Sequence, residues 1–508
     1  MQRFLPLCVA ALASSALAQV DVLYTNISST AGNYRDAIVL WTANGQRPLA
    51  QETPSFTGAR SATGSVRKAR YRVLGGVKYL YWHDTISDDI WRARDGNGNG
   101  VLDASEFEQV FDWDAASDGQ LDERGGIWWA TVAAGSGTAR GVWKFQDLNN
   151  DGDFKDAGES AQVVVGPTFT FGGTTASCDQ GTSCAILPNG DLIWHETDAR
   201  CWFRTTPAGA TSIFLAYRTA AAGAITPQPA LNPDIGTVLP SLSAAQFDRV
   251  AVDPVSGDVF FAANFSSTLP HVFIARDGNA DGDVNDAGEM KFFLDGTLVT
   301  PAWGPVDDLD FLNGAVYVSY ENAPGGANIP STFNELKDLN LDGDAQDPGE
   351  LTVVGATPAG DDPTTIGITV VPAGTFGPSG INFDLRYSAN LSTAGGSTVI
   401  SYGDIPAALQ NEGTSGYLLL SLTGDAALPV PLPPFNVVIG LTPDSLFAIS
   451  AGLFSAGPFT GATQAAGGTI VYPAGLPLGT KLYLSAIAIR ASDFNIRGAT
   501  GTAILEVK

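Results

Sequence analysis

Histidine is scarce in this chain. Its 508 residues include only His83, His195 and His271. Histidine is the side chain whose ordinary pKa lies near neutrality, so little is available for proton shuttling. No G-x-S-x-G elbow, H-E-x-x-H pair or P-loop sequence occurs, and the signatures of the common hydrolases and nucleotide-binding enzymes are therefore missing. After the N-terminus no stretch reaches 18 unbroken apolar residues, so no later segment is expected to span a bilayer. Positive charge is also short. Lys and Arg total 27 against 53 Asp and Glu, for a net charge of −26, which excludes nucleic acid as a partner. Cysteine numbers four. Cys8 falls in the leader described below. Cys178, Cys184 and Cys201 leave two pairings open, Cys184 with Cys201 or Cys178 with Cys184, with one thiol over either way. None has a convincing metal spacing.

What is present is β-forming. Hydrophobic residues make up 44%, and 58 Gly and 30 Pro are spread along the length. That composition suits many short strands joined by turns. Residues 1–18 read as a signal peptide: Arg3, an apolar run from Phe4 to Ala13, and Ala16-Leu17-Ala18 before Gln19. The expectation is a soluble exported protein.

From there a unit of about sixty residues repeats. It opens with an aromatic strand: 78–84, 126–132, 191–197, 258–264 and 315–321. A second strand follows, starting at 90, 142, 201, 272 and 333, and then a third. Units of this length with room for four strands predict propeller blades. Extending one unit each way takes in 37–41 and 398–402, giving an all-β propeller of about six to seven blades over 19–405. The rival is a tandem of β-sandwiches. Residues 412–508, with strands joined by Pro/Gly-rich turns, read as a separate small β-sandwich.

The acids concentrate in loops after the second strands. In the first, Asp95, Asn97, Asn99 and Asp103 stand at positions 1, 3, 5 and 9, Gly100 at 6, Leu102 at 8 and Glu106 at 12. With Val101 at position 7, this matches an EF-hand loop position by position. Calcium takes six to eight oxygens, and alternate residues of a tight turn aim theirs inward. Three further loops share D-x-N-x-D-G-D-x-x-D-x-G-E. Their candidate ligands are Asp147, Asn149, Asp151, Asp153, Asp156 and Glu159; Asp277, Asn279, Asp281, Asp283, Asp286 and Glu289; and Asp338, Asn340, Asp342, Asp344, Asp347 and Glu350. Here the last acid comes at position 13, and which acid is bidentate is open. Without a cation, five carboxylates in thirteen residues repel one another. About four Ca²⁺ ions are expected, and these sites account for much of the negative charge. The third unit has an ordinary turn, Thr205–Thr211, at the equivalent place. Spacing is poor in the acidic stretch 112–122.

His83 and His195 occupy equivalent repeat positions, Trp82-His83-Asp84-Thr85 and Trp194-His195-Glu196-Thr197. On inner strands they would be candidates for a hydrolase or lyase site acting on a saccharide or lactone. The plainer reading is a packing consensus.

The loops at Asp95, Asp147, Asp277 and Asp338, with their aromatic strands, resemble secreted bacterial β-propeller proteins that carry EF-hand-like or dockerin-like calcium loops. The resemblance covers roughly residues 20–405, and the C-terminal segment looks like a terminal β-sandwich of exported bacterial proteins. It implies calcium binding and an extracellular place but little about partners; an unidentified extracellular ligand, a protein or polysaccharide, is expected beside it. Three function classes remain: a non-enzymatic calcium-binding surface protein, a propeller enzyme, and an envelope component held through 412–508.

Overall fold

The structure is a computed structural model. It describes residues 20–26, 37–42, 45–51, 66–74 and most of 77–372, omitting 85–86, 88, 97–100, 114–119, 133–138, 150, 179–180, 239–245, 265–269, 300–303, 321–331 and 358–366. Beyond these it describes mainly the strands from 384 onward. The segment read as a signal peptide lies outside the described residues.

Six four-stranded antiparallel sheets follow one another along the chain. We call them blades 1 to 6 and letter their strands a to d outward from the axis. In blade 2 these are Val66–Leu74, Val77–Asp84, Asp89–Ala93 and Phe107–Asp112, and in blade 3 Leu121–Arg124, Ile127–Val132, Gly141–Phe145 and Ser160–Val165. Blade 4 comprises Gly181–Ile186, Leu192–Glu196, Cys201–Thr205 and Thr211–Ala216. Blade 5 comprises Gln246–Val252, Val259–Asn264, Pro270–Ala275 and Met290–Leu294, and blade 6 Val306–Leu312, Ala315–Tyr320, Thr332–Leu336 and Leu351–Ala356. Blade 1 is composite. Its b, c and d strands are Val20–Asn26, Ala37–Thr42 and Gly45–Gln51, and its a strand is Ile368–Pro372, paired antiparallel with Val20–Tyr24.

Each a strand touches the a strand of the next blade, and that of blade 6 touches the closing strand Ile368–Pro372. The ring is therefore closed, and the fold is a six-bladed β-propeller. Six described apolar clusters each pack between two neighbouring blades. Tandem sandwiches do not describe 20–372.

The aromatic strands of the repeat are the b strands, one place out from the axis. The inner strands are a different, more polar set. Thr398–Tyr402, expected to begin a further blade, lies in Gly396–Gly403. This strand pairs with Asp384–Tyr387 and Ala465–Tyr472, outside the ring. The last ring strand is thus Ile368–Pro372. The rest of the C-terminal part is also β, built on Lys481–Arg490 paired with Thr414–Ser421, Ile496–Ala499 and Ala503–Glu506.

Candidate functional site: the ion loops and the blade junctions

In an antiparallel blade the a–b and c–d connections share one face, and the b–c and d–a connections share the other. All four acidic loops are c–d connections, of blades 2, 3, 5 and 6. They sit on one face of the propeller, toward the rim.

The three thirteen-residue loops have one geometry. In the loop 147–159 the position-1 carboxylate, Asp147 Oδ2, accepts from the Gly152 N–H at 2.9 Å. The Asn149 side-chain oxygen accepts from the Asp151 N–H at 2.9 Å, and Asp151 Oδ1 from the Asp153 N–H at 3.1 Å. The same bonds recur in 277–289 and 338–350. Each position-6 glycine has a positive φ: 93° at Gly152, 101° at Gly282 and 91° at Gly343. That conformation is costly for a residue with a Cβ.

The final glutamate is buried in each, with Glu159 and Glu350 2% exposed and Glu289 7%. Glu159 Oε1 accepts from the Leu148 N–H at 2.8 Å and Oε2 from the Asp156 N–H at 3.3 Å. The twelve-residue loop makes the same clamp. Glu106 Oε1 accepts from the Gly96 N–H and Oε2 from the Asp103 N–H, both at 2.8 Å. Asp103 therefore corresponds to Asp156, Asp286 and Asp347, in a shared D-x-x-E. The added residue of the longer loops is position 9 (Lys155, Asn285, Gln346), and the two loop types agree at both ends. Asn97 and Asn99 lie outside the described residues.

These residues fit a hard cation. One oxygen each from Asp151, Asp153 and Glu159 lies within 4.8 Å of the others. Two oxygens that touch one ion at roughly 2.4 Å lie at most about 4.8 Å apart, so each pair falls within that limit. Asp277 Oδ1, at position 1, is a buried oxygen without a hydrogen-bond partner. In all three loops the position-3 Asn amide nitrogen lies between two carboxylates; Asn149 Nδ2 is 3.0 Å from Asp151 and 2.5 Å from Asp156. This puts partial positive charge where a cation would take its place. Burial raises the Asp283 pKa, and the charges of Asp281, Asp286 and Glu289 add to the rise. Backbone and Asn149 hydrogen bonds lower that of Asp151.

Position 8 is apolar and buried in every loop: Leu102, Phe154, Val284 and Ala345. Each reaches the blade before its own. Their N–H groups donate to the carbonyls of Leu49 (2.6 Å), Val110 (3.0 Å), Phe214 (2.9 Å) and Phe293 (2.8 Å). All four acceptors are the bulged residues of the preceding d strands, where the c–d register slips by one. A bulge leaves a carbonyl outside the ladder, and the loop satisfies it. A cation from the preceding blade also meets each longer loop. Arg92 reaches the Asp151 carbonyl at 3.5 Å, Arg204 the Gly282 carbonyl at 2.7 Å and Lys291 the Asp342 carbonyl at 3.1 Å.

His83 and His195 are not brought together. They end the b strands of blades 2 and 4, with blade 3 between them, on the face opposite the ion loops. His83 lies edge-on to Trp113 at 4.9 Å. His195 Nε2 is 2.8 Å from the Tyr217 hydroxyl, and burial lowers its pKa to about 3. Their acidic neighbours are turn caps. Asp84 accepts from the Ser87 N–H at 2.8 Å, and Glu196 from the Ala199 N–H at 2.6 Å. His271 Nδ1 accepts from the Gly296 N–H at 3.1 Å.

Cys178, Cys184 and Cys201 are buried and form no disulfide, so neither expected pairing is made. Within the stretch 112–122, Asp122 turns to the axis.

Sequence reasoning missed the axis itself. Lys68 of blade 2 meets Asp308 of blade 6 at 3.1 Å, both about 2% exposed. Arg70 lies 2.9 Å from Asp122 of blade 3 and 3.6 Å from Asp310 of blade 6. Asp308 and Asp310 also accept from the N–H groups of Ile368 (2.9 Å) and Val370 (2.7 Å), and Asp122 from Ile186 (3.0 Å). The free edges of inner strands are thus capped by side chains of neighbouring blades.

No protein-family model matches the chain, and no curated protein matches it in sequence. Among solved structures it is similar to virginiamycin B lyase from Staphylococcus aureus, at 10% identity and TM-score 0.33, covering 65% of this chain and 87% of that one. It is also similar to regucalcin, a calcium-binding protein from Agrobacterium tumefaciens, at 12% identity and TM-score 0.31, covering 56% and 75%. An auxiliary nutrient binding protein from Bacteroides thetaiotaomicron gives 10% identity and TM-score 0.36, covering 66% and 64%. These likenesses are distant, and the propeller class rests on the strand order above. Among the described residues no helix is long and apolar enough to cross a membrane.

Proposed function

We propose that this protein is exported and binds about four Ca²⁺ ions, which brace a propeller that binds an extracellular ligand without catalysing a reaction. The observation that carries the reading is the convergence of Asp151, Asp153 and Glu159 oxygens within 4.8 Å, in a loop whose hydrogen bonds recur in 277–289 and 338–350. Calcium is the ion the donors select: carboxylate, amide and backbone oxygens, with no nitrogen or sulfur. In the first loop Asp95, Asn97, Asn99, Asp103, Glu106 and the Val101 carbonyl would hold the ion. The glutamate at position 12 or 13, whose two oxygens are already spread by backbone amides, is the bidentate ligand. The separation of His83 and His195 supports a binding role. A chain of charge −26 favours a protein or polysaccharide ligand over nucleic acid.

Equilibrium dialysis against calcium, followed by metal analysis, tests the reading. Four calcium ions per chain are expected, displaced by excess EGTA. A chain that retains no calcium at millimolar free concentration overturns it.

A further inference from the structure

We infer that the ions close the junctions between blades, and that the propeller is built as two ion-closed triads, blades 1–3 and blades 4–6, joined by two ion-independent seams. The inference rests on the ion-binding reading above and goes beyond it. Each loop reaches past the hairpin that carries it to the blade before its own.

The first observation is the shared position-8 contact. Leu102, Phe154, Val284 and Ala345 insert at junctions 1|2, 2|3, 4|5 and 5|6, each with its N–H on a bulged carbonyl and its side chain in that junction's apolar cluster. Position 8 lies between ligands on either side in sequence, Val101 and Asp103 in the first loop, Asp153 and Asp156 in the second. An ion that draws those ligands together fixes the residue between them against the neighbouring blade.

The second observation comes from the junctions that lack a loop. The d strands of blades 3 and 6 carry the same bulge, at Val163 and Val354. Blade 4 follows Val163 with only the turn Thr206–Ala210, tied by Lys144 Nζ on the Pro207 carbonyl at 3.3 Å. An inserted three-stranded sheet, Thr168–Phe171, Thr174–Ser177 and Ile225–Thr226, packs here instead. Its Phe169 lies 5.6 Å from Trp194, and Phe171 lies 5.6 Å from Phe203, at the cluster between blades 3 and 4. At junction 6|1 the Trp41 ring lies on Gly355, where a Cβ would come within 2.1 Å of it, and the first and last strands of the ring share blade 1. Where the ion loop is missing, aromatic side chains fill the junction.

Hydrogen exchange of the full chain, with excess calcium and with excess EGTA, tests this, read on peptides containing Leu102, Phe154, Val284 and Ala345. Calcium is expected to slow these four amides ~10-fold or more, and to leave 206–211 unchanged. The double variant D283N/E289Q, made in the loop of blade 5, should lose the protection at Val284 and keep it at Phe154. If dialysis shows bound calcium but the four amides exchange equally in both conditions, the junction inference is overturned and ion binding stands. If no calcium binds, both readings fall. If the double variant loses protection at all four junctions together, the junction-by-junction assignment is overturned.

Discussion

The axis and the rim of this propeller both carry dense charge, and they handle it in opposite ways. At the axis every described carboxylate finds its counter-charge within the chain: Asp308 has Lys68, and Asp122 and Asp310 have Arg70. Backbone N–H groups of neighbouring strands add to these pairs, so the network is close to neutral, although Asp308 Oδ1 is buried without a hydrogen-bond partner. At the rim the carboxylates face one another, with an asparagine amide between them and the preceding blade's cation on the loop backbone. The axis balances its charge with side chains of the fold itself. On the calcium reading proposed above, the rim would be completed by an ion, and its stability would depend on solution conditions.

Two experiments would break or sharpen that contrast. The largest expected effect is calcium removal. An ion at a hundredfold excess over its dissociation constant contributes about 2.7 kcal/mol per site, so four sites should give a large drop in melting temperature in EGTA. An unchanged melt would make the rim as self-sufficient as the axis. Next comes Lys68→Met. Removing one partner of a buried pair leaves the other uncompensated, at a cost of roughly 3–5 kcal/mol. Denaturant unfolding should show the same loss in calcium and in EGTA. A loss that appears in only one condition would mean the axis and rim are coupled.

A third measurement addresses the blade body between them. His195 has a folded-state pKa of about 3, below its ordinary value of 6.5, because burial disfavours its charged form. The unfolded chain therefore takes up a proton first as pH falls. Stability from this group is fully present above pH 6.5 and declines from there toward pH 3, by ~2–3 kcal/mol at pH 4.5. Comparing unfolding of the wild type with His195→Phe at pH 7 and pH 4.5 checks this. The variant should lose less on acidification, and equal losses would place the acid sensitivity elsewhere.

The rim was more legible in the sequence than the axis, for a physical reason. An acidic loop is local: its candidate ligands lie within thirteen residues, and glycine at position 6 and an apolar residue at position 8 mark its turn and its anchor. Apolar b strands such as 126–132 are equally plain, because burial on both faces leaves no polar alternation. Ring closure has no local mark, since Val20–Tyr24 meets Ile368–Pro372 across the length of the propeller, and the repeat was extended past its end to Thr398–Tyr402. The alternation of Lys68, Arg70 and Arg72 reads like a solvated strand face. Only the closed ring turns the outer side of an a strand into the molecule's interior. The bulges that accept the loops were hidden too, because a one-residue slip in register leaves no compositional trace. The equivalence of His83 and His195 reflects the caps Asp84 and Glu196 that end their b strands, in keeping with the packing reading of the repeat.

The smallest expected effect concerns a single leucine on the rim. Leu341, at position 4 of its loop, has a φ of 64° and is 85% exposed. Ala280, its equivalent in blade 5, has a φ of 61°, so the left-handed conformation belongs to the loop and not to the side chain. Asparagine tolerates that conformation better than leucine, and Asn150 stands at the corresponding place in blade 3. Leu341→Asn should therefore stabilise the protein slightly, by ~0.5–1 kcal/mol, and leave the calcium stoichiometry unchanged. The measurement is the unfolding free energy in saturating calcium. A loss of stability would mean that Leu341 packs against another part of the chain, and that this stretch of the rim is not the solvent-facing surface the contrast with the axis requires.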